Sequence, residues 1–232
     1  MIPLRDSIRP RRRPIVNPAL ILANVLVFFY QLTLGHEQLF EFFVRYGVVP
    51  ARFQGVLGFL YLVLSGQWAI PATVVTAMFL HGGWMHLIGN MLYLWVFGDN
   101  VEDRLGRLGY LLFYLAAGVV ANLAQVAADP SSTTPLIGAS GAVAGVLGAY
   151  FVTFPRSRVL ALVPLGFFIT MTEVPAVLFL FLWFALQLLN GVASIGFPQI
   201  AGQIAWWAHI GGFVAGMLLI RWFRRRAPLH PW

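Results

Sequence analysis

Long uncharged runs, separated by short clusters of charge, proline and glycine, dominate the chain. The first, about Pro18 to Leu34, has the length that a tilted helix needs to cross roughly 30 Å of hydrocarbon. Similar runs extend from near Trp84 to Gly98, from Leu108 to Ala127, and from the Ser140 stretch to near Pro155. The uncharged segment Val174 to Ile220 is long enough for two helices, and Gly191, Gly196, Pro198 and Gly202 divide it into about 175–190 and 204–222. Between the first two runs, Glu37 to Arg45 sets charges among Leu39, Phe40, Phe42 and Phe43, an amphipathic pattern suited to a membrane interface. Val56 to Leu64 is apolar but too short to span, so it predicts a short or re-entrant element of a long first loop. Val159 to Thr172, broken by Pro164 and Gly166, predicts a surface-lying loop.

Composition turns these runs into membrane crossings. The chain is 59% hydrophobic and 10% charged, with a mean hydropathy of +0.80, against roughly 45–50% and 25% in a soluble domain. It contains no cysteine, which excludes disulfides and thiolate metal sites. All 15 basic residues are arginines, behind a formal charge of +7. They gather at the ends and at loops, as a rim facing solvent and lipid would, so no nucleic-acid partner is implied. Arg9 to Arg13 would suit the start of a signal peptide, but the run after it lacks a small-residue cleavage site and is expected to stay as a helix.

Six crossings place the arginine-rich start, Arg104 and Arg107, Arg156 and Arg158, and Arg221 with Arg224 to Arg226 on one face, the cytoplasmic one by the positive-inside rule. The expectation is an all-α membrane protein of six transmembrane helices with a long, partly embedded first loop. A basic, flexible cytoplasmic tail at 1–16 precedes the membrane domain at 17–223, and a short cytoplasmic tail follows at 224–232. The lipid bilayer is its medium, and a prokaryotic plasma (inner) membrane its expected location.

Topology fixes depth. Even-numbered crossings all start at the outer surface, so Ser140, His209, and the pair His86 and Asn90, four residues apart on one helical face, converge on one layer. Singly, each has a bland reading: Ser140 among glycines as packing glue, His209 as a satisfied packing histidine. Together at membrane depth, where polar side chains seldom face lipid, they point to a site. Gly141 and Gly145 form one small-residue face, and Gly212 and Gly216 another, allowing the two backbones to approach closely enough for an imidazole to reach a serine hydroxyl. Such a base makes serine nucleophilic, while His86 and Asn90 suit donors to a developing oxyanion. His81, His86 and His209 could ligate a metal, but Gly82 follows His81 and no HExxH pair exists. An aspartyl pair is also missing from the uncharged spans, so the serine site would be a dyad without the acid of the usual triad. No cofactor is called for.

These residues resemble the rhomboid family of intramembrane serine proteases over about 17–223. The motifs are Gly138-Ala-Ser-Gly141, His86-Leu-Ile-Gly-Asn90, and Ala208-His-Ile-Gly-Gly212 with Gly216, supported by the Gly98-Asp-Asn-Val-Glu-Asp-Arg104 turn. The resemblance implies Ser140 as nucleophile, His209 as general base and then acid, and an oxyanion hole of His86, Asn90 and the Ser140 N–H. It implies hydrolysis in or near a transmembrane segment of another membrane protein, which enters beside helix five under a cap at 191–204, with the site open to the outer side. Gly138, Gly141, Gly145, Gly212 and Gly216 would pack the helices around it, Gly138 also leaving room for a substrate backbone. Two positions depart from the family pattern. Trp68 is followed by Ala69 where an arginine is frequent, and Ala144 stands where some members stack an aromatic on the histidine, leaving Trp206 and Trp207 as candidates to orient His209. Other readings of the same polar layer are a non-catalytic membrane binding protein or chaperone and, less suitably, a small transporter. Substrate identity and oligomeric state are not encoded in these patterns.

Overall fold

The computed structural model describes residues 1–165, 168–196 and 204–223. Strand β1 (Ile2–Asp6) leads to helix α1 (Val16–Gln31), and the first loop carries α2 (His36–Tyr46), α3 (Gly55–Leu64) and the single turn α4 (Thr73–Thr76). Then come α5 (Trp84–Leu105), α6 (Arg107–Ala128) and α7 (Ser140–Thr153), a hairpin of β2 (Arg158–Leu165) and β3 (Phe168–Pro175), and finally α8 (Ala176–Gly196) and α9 (Trp206–Phe223). Helices thus form on all six long apolar runs. By length and hydropathy, α6 and α8 are long enough to cross a membrane, and α1 and α7 are shorter apolar helices. Three expectations fall wholly or partly outside the described residues: the tail at 224–232, the Pro198 and Gly202 break, and half of the cap at 191–204.

Helix α7 is the axis of the bundle, with every residue from Gly141 to Tyr150 buried. It is packed by α5, α6 and α9, and its small residues determine how closely. A side chain on Gly212 would strike the Gly141 carbonyl, one on Gly216 the Gly145 carbonyl, and one on Gly148 the Phe213 carbonyl. Gly141 and Gly145 also abut Ala121 and Ala117 of α6, and Gly211 abuts Ala124. Lipid tails give no hydrophobic drive for helices to associate, so this contact rests on dispersion between closely approaching backbones.

The cytoplasmic-side expectations need two corrections. Gly98 to Arg104 is not a turn but the continuation of α5, because the polar groups there have partners from the start of the chain. Glu102 accepts the N–H groups of Ile15, Val16 and Asn17 at 2.9, 3.0 and 2.7 Å, satisfying donors that the first turn of α1 leaves unpaired. Asp103 accepts from Arg11 and Arg12 N–H, while Asn17 is held by Leu94 O and the Tyr110 hydroxyl. Second, the fold is not purely helical. Residues 2–6, expected to be tail, form β1, and the stretch from Val159 to Thr172, expected to be a surface-lying loop, lies within β2 and β3; the three strands pair antiparallel in the order β1-β2-β3. Alternation explains part of this, since Val159 and Ala161 are fully buried on one face of β2. The partnership with β1 joins residues far apart in the chain. In the first loop, α2 and α3 bury none of their residues, and Leu57 and Leu64 of α3 are 81% and 87% exposed.

Asp6 anchors β1, its Oδ2 accepting from the Tyr150 hydroxyl at 2.5 Å and Asn100 Nδ2 at 2.8 Å. Burial raises its carboxyl above the ordinary value of 3.8, outweighing these donors, which favour the ionised form. A raised carboxyl value means that its stabilising contribution is complete below the unfolded value and is lost as pH rises through the folded one. Docking of β1 is therefore expected to tighten on acidification. The stability difference between wild type and Asp6→Asn, measured from pH 4 to 8, should change in wild type's favour as pH falls; a constant difference would refute the assignment. The glycine contact gives a second expectation. Gly216→Ala should cost about 1–3 kcal/mol by overpacking, whereas Gly89→Ala, whose added Cβ meets nothing within 4 Å, should be neutral or stabilising by about 0.5–1 kcal/mol. Unfolding in detergent compares the two.

Candidate active site

The loop before α7 is held from two sides. Leu136 pairs with Val48 in an isolated antiparallel bridge, and Gly138 N–H donates to Ala77 O at 2.9 Å. Gly138 has φ +127°, a conformation that L side chains rarely adopt, and a Cβ there would lie 2.6 Å from His86 Nε2. Sequence analysis grouped Gly138 with the helix-packing glycines. The structure sets it before the helix, where it makes room for the His86 ring. The position of that absent Cβ is also 3.6 Å from Ser140 Oγ, so the hydroxyl and the imidazole border the same small space.

Ser140 is the first residue of α7. Because the first regular helix bond runs from Val143 N–H to Ala139 O, the Ser140 amide is among those a helix start leaves unpaired. His86 and Asn90 rise from the first two turns of α5. His86 Nδ1 accepts from Gly82 N–H at 3.4 Å, and its ring meets the His81 ring edge-on at 5.0 Å between centroids. The proton of its neutral ring therefore belongs on Nε2, the nitrogen beside Gly138. Asn90 is buried at 7% exposure, and its Nδ2 has no hydrogen-bond partner. A buried amide donor without a partner is costly, and such exceptions call for a role.

His209 lies one turn into α9. Its neighbour Ala208 stands against Gly141, the residue after Ser140, so the serine and the histidine flank the same helix contact. Ala208 N–H donates to Gln125 Oε1 at 3.3 Å. The residue that sequence reasoning missed is Gln187 of α8, whose Oε1 is 2.8 Å from His209 Nδ1. The signal was available, since Gln187 is a polar side chain in the uncharged interior of a predicted span. Of the two tryptophans expected to orient His209, Trp206 does meet its ring edge-on at 6.2 Å between centroids, and Trp183, not singled out, flanks it at 5.9 Å. Ala144 is fully buried. No group of three or more metal-ligating side chains occurs among the described residues.

Comparison with known proteins agrees with the motifs. Residues 66–226 match the Rhomboid domain. Rhomboid protease GluP of Bacillus subtilis (strain 168) is 31% identical over 155 residues, 67% of this chain and 26% of that protein. Rhomboid-like protein 11, chloroplastic, of Arabidopsis thaliana is 32% identical over 158 residues, 66% of this chain and 52% of its own length. The mitochondrial presenilin-associated rhomboid-like protein of Homo sapiens is 27% identical over 169 residues, covering 67% and 40%. The chain thus spans between a quarter and about half of these relatives. Since the domain match takes in α5 through α9 and every candidate site residue, the chain belongs to the rhomboid family of integral membrane proteins.

Proposed function

We propose that the chain is an intramembrane serine endopeptidase that cleaves transmembrane segments of other membrane proteins with a Ser140–His209 dyad. The observation that carries this reading is the contact of Gly141 with Ala208, one residue from the serine and one from the histidine, on two helices that touch through their backbones. Family membership supports it, as does the protease name of the GluP relative. In this reading the chain crosses the membrane six times, with both termini cytoplasmic and the site near the outer surface, which the clustering of arginines at the ends and loops supports.

His209 Nε2 takes the Ser140 hydroxyl proton as Oγ attacks the scissile carbonyl carbon. The charge that develops on the carbonyl oxygen is met by the Ser140 N–H, His86 Nε2–H and Asn90 Nδ2–H, the last of which has no partner among the described residues. The C–N bond then breaks as His209 gives its proton to the departing amine. Water, deprotonated by the same imidazole, attacks the acyl-serine, and the proton returns to Oγ. Because hydrolysis needs water, a shallow site on the outer side suits the chemistry better than one at the bilayer centre.

Purified protein should cleave a generic transmembrane substrate and take up a fluorophosphonate probe on Ser140. Ser140→Ala and His209→Ala should abolish both; full cleavage by Ser140→Ala would sink the proposal, and substrate capture without cleavage by the wild type would favour a binding protein instead. Asn90→Ala should lower kcat about 10²–10³-fold, the usual cost of losing one oxyanion donor, while leaving probe-free substrate binding intact. An unchanged kcat would remove Asn90 from the hole.

A further inference from the structure

We infer that Gln187 is the positioning residue of His209, taking the orienting part of the acid in a Ser-His-Asp triad without its charge. This inference rests on the dyad reading above. The contact is short, 2.8 Å between Gln187 Oε1 and His209 Nδ1, and its polarity is set by a second bond. Gln187 Nε2 donates to Trp183 O at 3.1 Å, one turn earlier on α8. Rotating the amide by half a turn would face its oxygen to the Trp183 carbonyl, two acceptors together, so the oxygen belongs toward His209. An acceptor at Nδ1 requires a proton there. The neutral imidazole then carries its lone pair on Nε2, the nitrogen that a base for Ser140 must offer.

The surroundings favour this bond over alternatives. Gln187 is 7% exposed, and Trp183 and Trp206 flank the imidazole, so little water competes for Nδ1. The other nearby amide oxygen, that of Gln125, already accepts from Ala208 N–H. One turn along α7, Ala144 is closed in by packing and offers no polar atom. A carboxylate in place of Gln187 would orient the ring equally well, but an ionised group in an apolar span is expensive. A neutral amide fixes the tautomer without that cost.

The tether also has a structural consequence, because it comes from α8 rather than from α7 or α9. Helix α8 is held to α9 through Trp183 and Phe184 against Phe213, and to α5 through Phe179 against Phe97 and Tyr93. A shift of α8 on the order of 1 Å lengthens the Nδ1 bond beyond hydrogen-bonding range, so the readiness of the base follows the position of this helix.

Four variants test the role: Gln187→Leu, Gln187→Asn, Gln187→Glu and, as reference, Ser140→Ala. Gln187→Leu should lower kcat about 10²-fold, at the lower end of general-base contributions, with KM within about twofold. Nitrogen NMR of labelled His209 should show its proton divided between Nδ1 and Nε2 in that variant and confined to Nδ1 in the wild type. Gln187→Asn keeps the amide but is one methylene too short, and should resemble Gln187→Leu; Gln187→Glu restores an acceptor and should recover most of kcat. Wild-type kcat in Gln187→Leu or Gln187→Asn, or a folded Gln187→Glu as slow as Gln187→Leu, would overturn the inference. If Gln187→Leu does not fold, the Asn and Glu pair decides by the same criterion. Because Ser140→Ala reports on the dyad alone, an inactive Ser140→Ala beside a fully active Gln187→Asn would refute the positioning role and leave the dyad standing.

Discussion

Everything at the site depends on how closely the backbones of α7 and α9 approach. Three contacts along this crossing, at Gly141, Gly145 and Gly148, bring a residue of one helix against a carbonyl of the other. Any side chain at these points would have to occupy space already filled by backbone. In lipid, where apolar surface gains nothing by leaving its medium, such proximity is the main source of attraction available. The glycines that look at first like an argument against chemistry at Ser140 are therefore the precondition of the chemistry proposed for it. Ala144 on the same helix is fully buried and offers His209 no polar atom, and the partner at His209 Nδ1 comes from Gln187 of α8 instead.

A second constraint is the accounting of polar groups at membrane depth. Around the site the two imidazoles that bear on the proposed chemistry each have a partner at Nδ1. Gly82 N–H fixes which nitrogen of His86 carries a proton, and Gln187 does the same for His209. Asn90 Nδ2 has no partner among the described residues, and the first amide of α7 is one that a helix start leaves without an intrahelical acceptor. A donor behind His86 and an acceptor behind His209 thus set the two rings to opposite tautomers, one with a proton on Nε2 and the other with a lone pair there. Hydrogen bonds of this kind are worth more in a low-dielectric layer than in water, and their absence costs correspondingly more.

At the opposite end of the bundle the same accounting uses charge. Glu102 and Asp103 of α5 accept backbone N–H groups from the stretch around the start of α1, and Asp6 joins β1 to α5 and α7. These bonds hold the N-terminal segment against the long hairpin between α7 and α8. They make the C-terminal end of α5 a folded hub rather than a connecting turn, and they tie the first residues of the chain to elements 85 or more positions away.

The apolar runs, their lengths and the arginines between them determined the helices, because desolvation of backbone and side chains leaves an uncharged run in lipid no other stable form. The same logic of depth brought Ser140, His209, His86 and Asn90 into one layer, and small residues four apart identified the faces in contact. What the chain alone did not disclose is long-range pairing. Strand β1 and its partner β2 carry no joint signature, since hydrogen bonds between strands are made by backbone and leave no trace in side-chain identity. Gly138 has the same composition signal as a packing glycine, and only its backbone angle and the nearness of His86 distinguish its role. Gln187 was visible as a polar residue in an apolar helix, but helical periodicity fixes a face and not the neighbour that the face meets. That it meets the imidazole of α9 was decided by the rotation of α8 in the bundle, which packing against Phe213, Phe97 and Tyr93 sets.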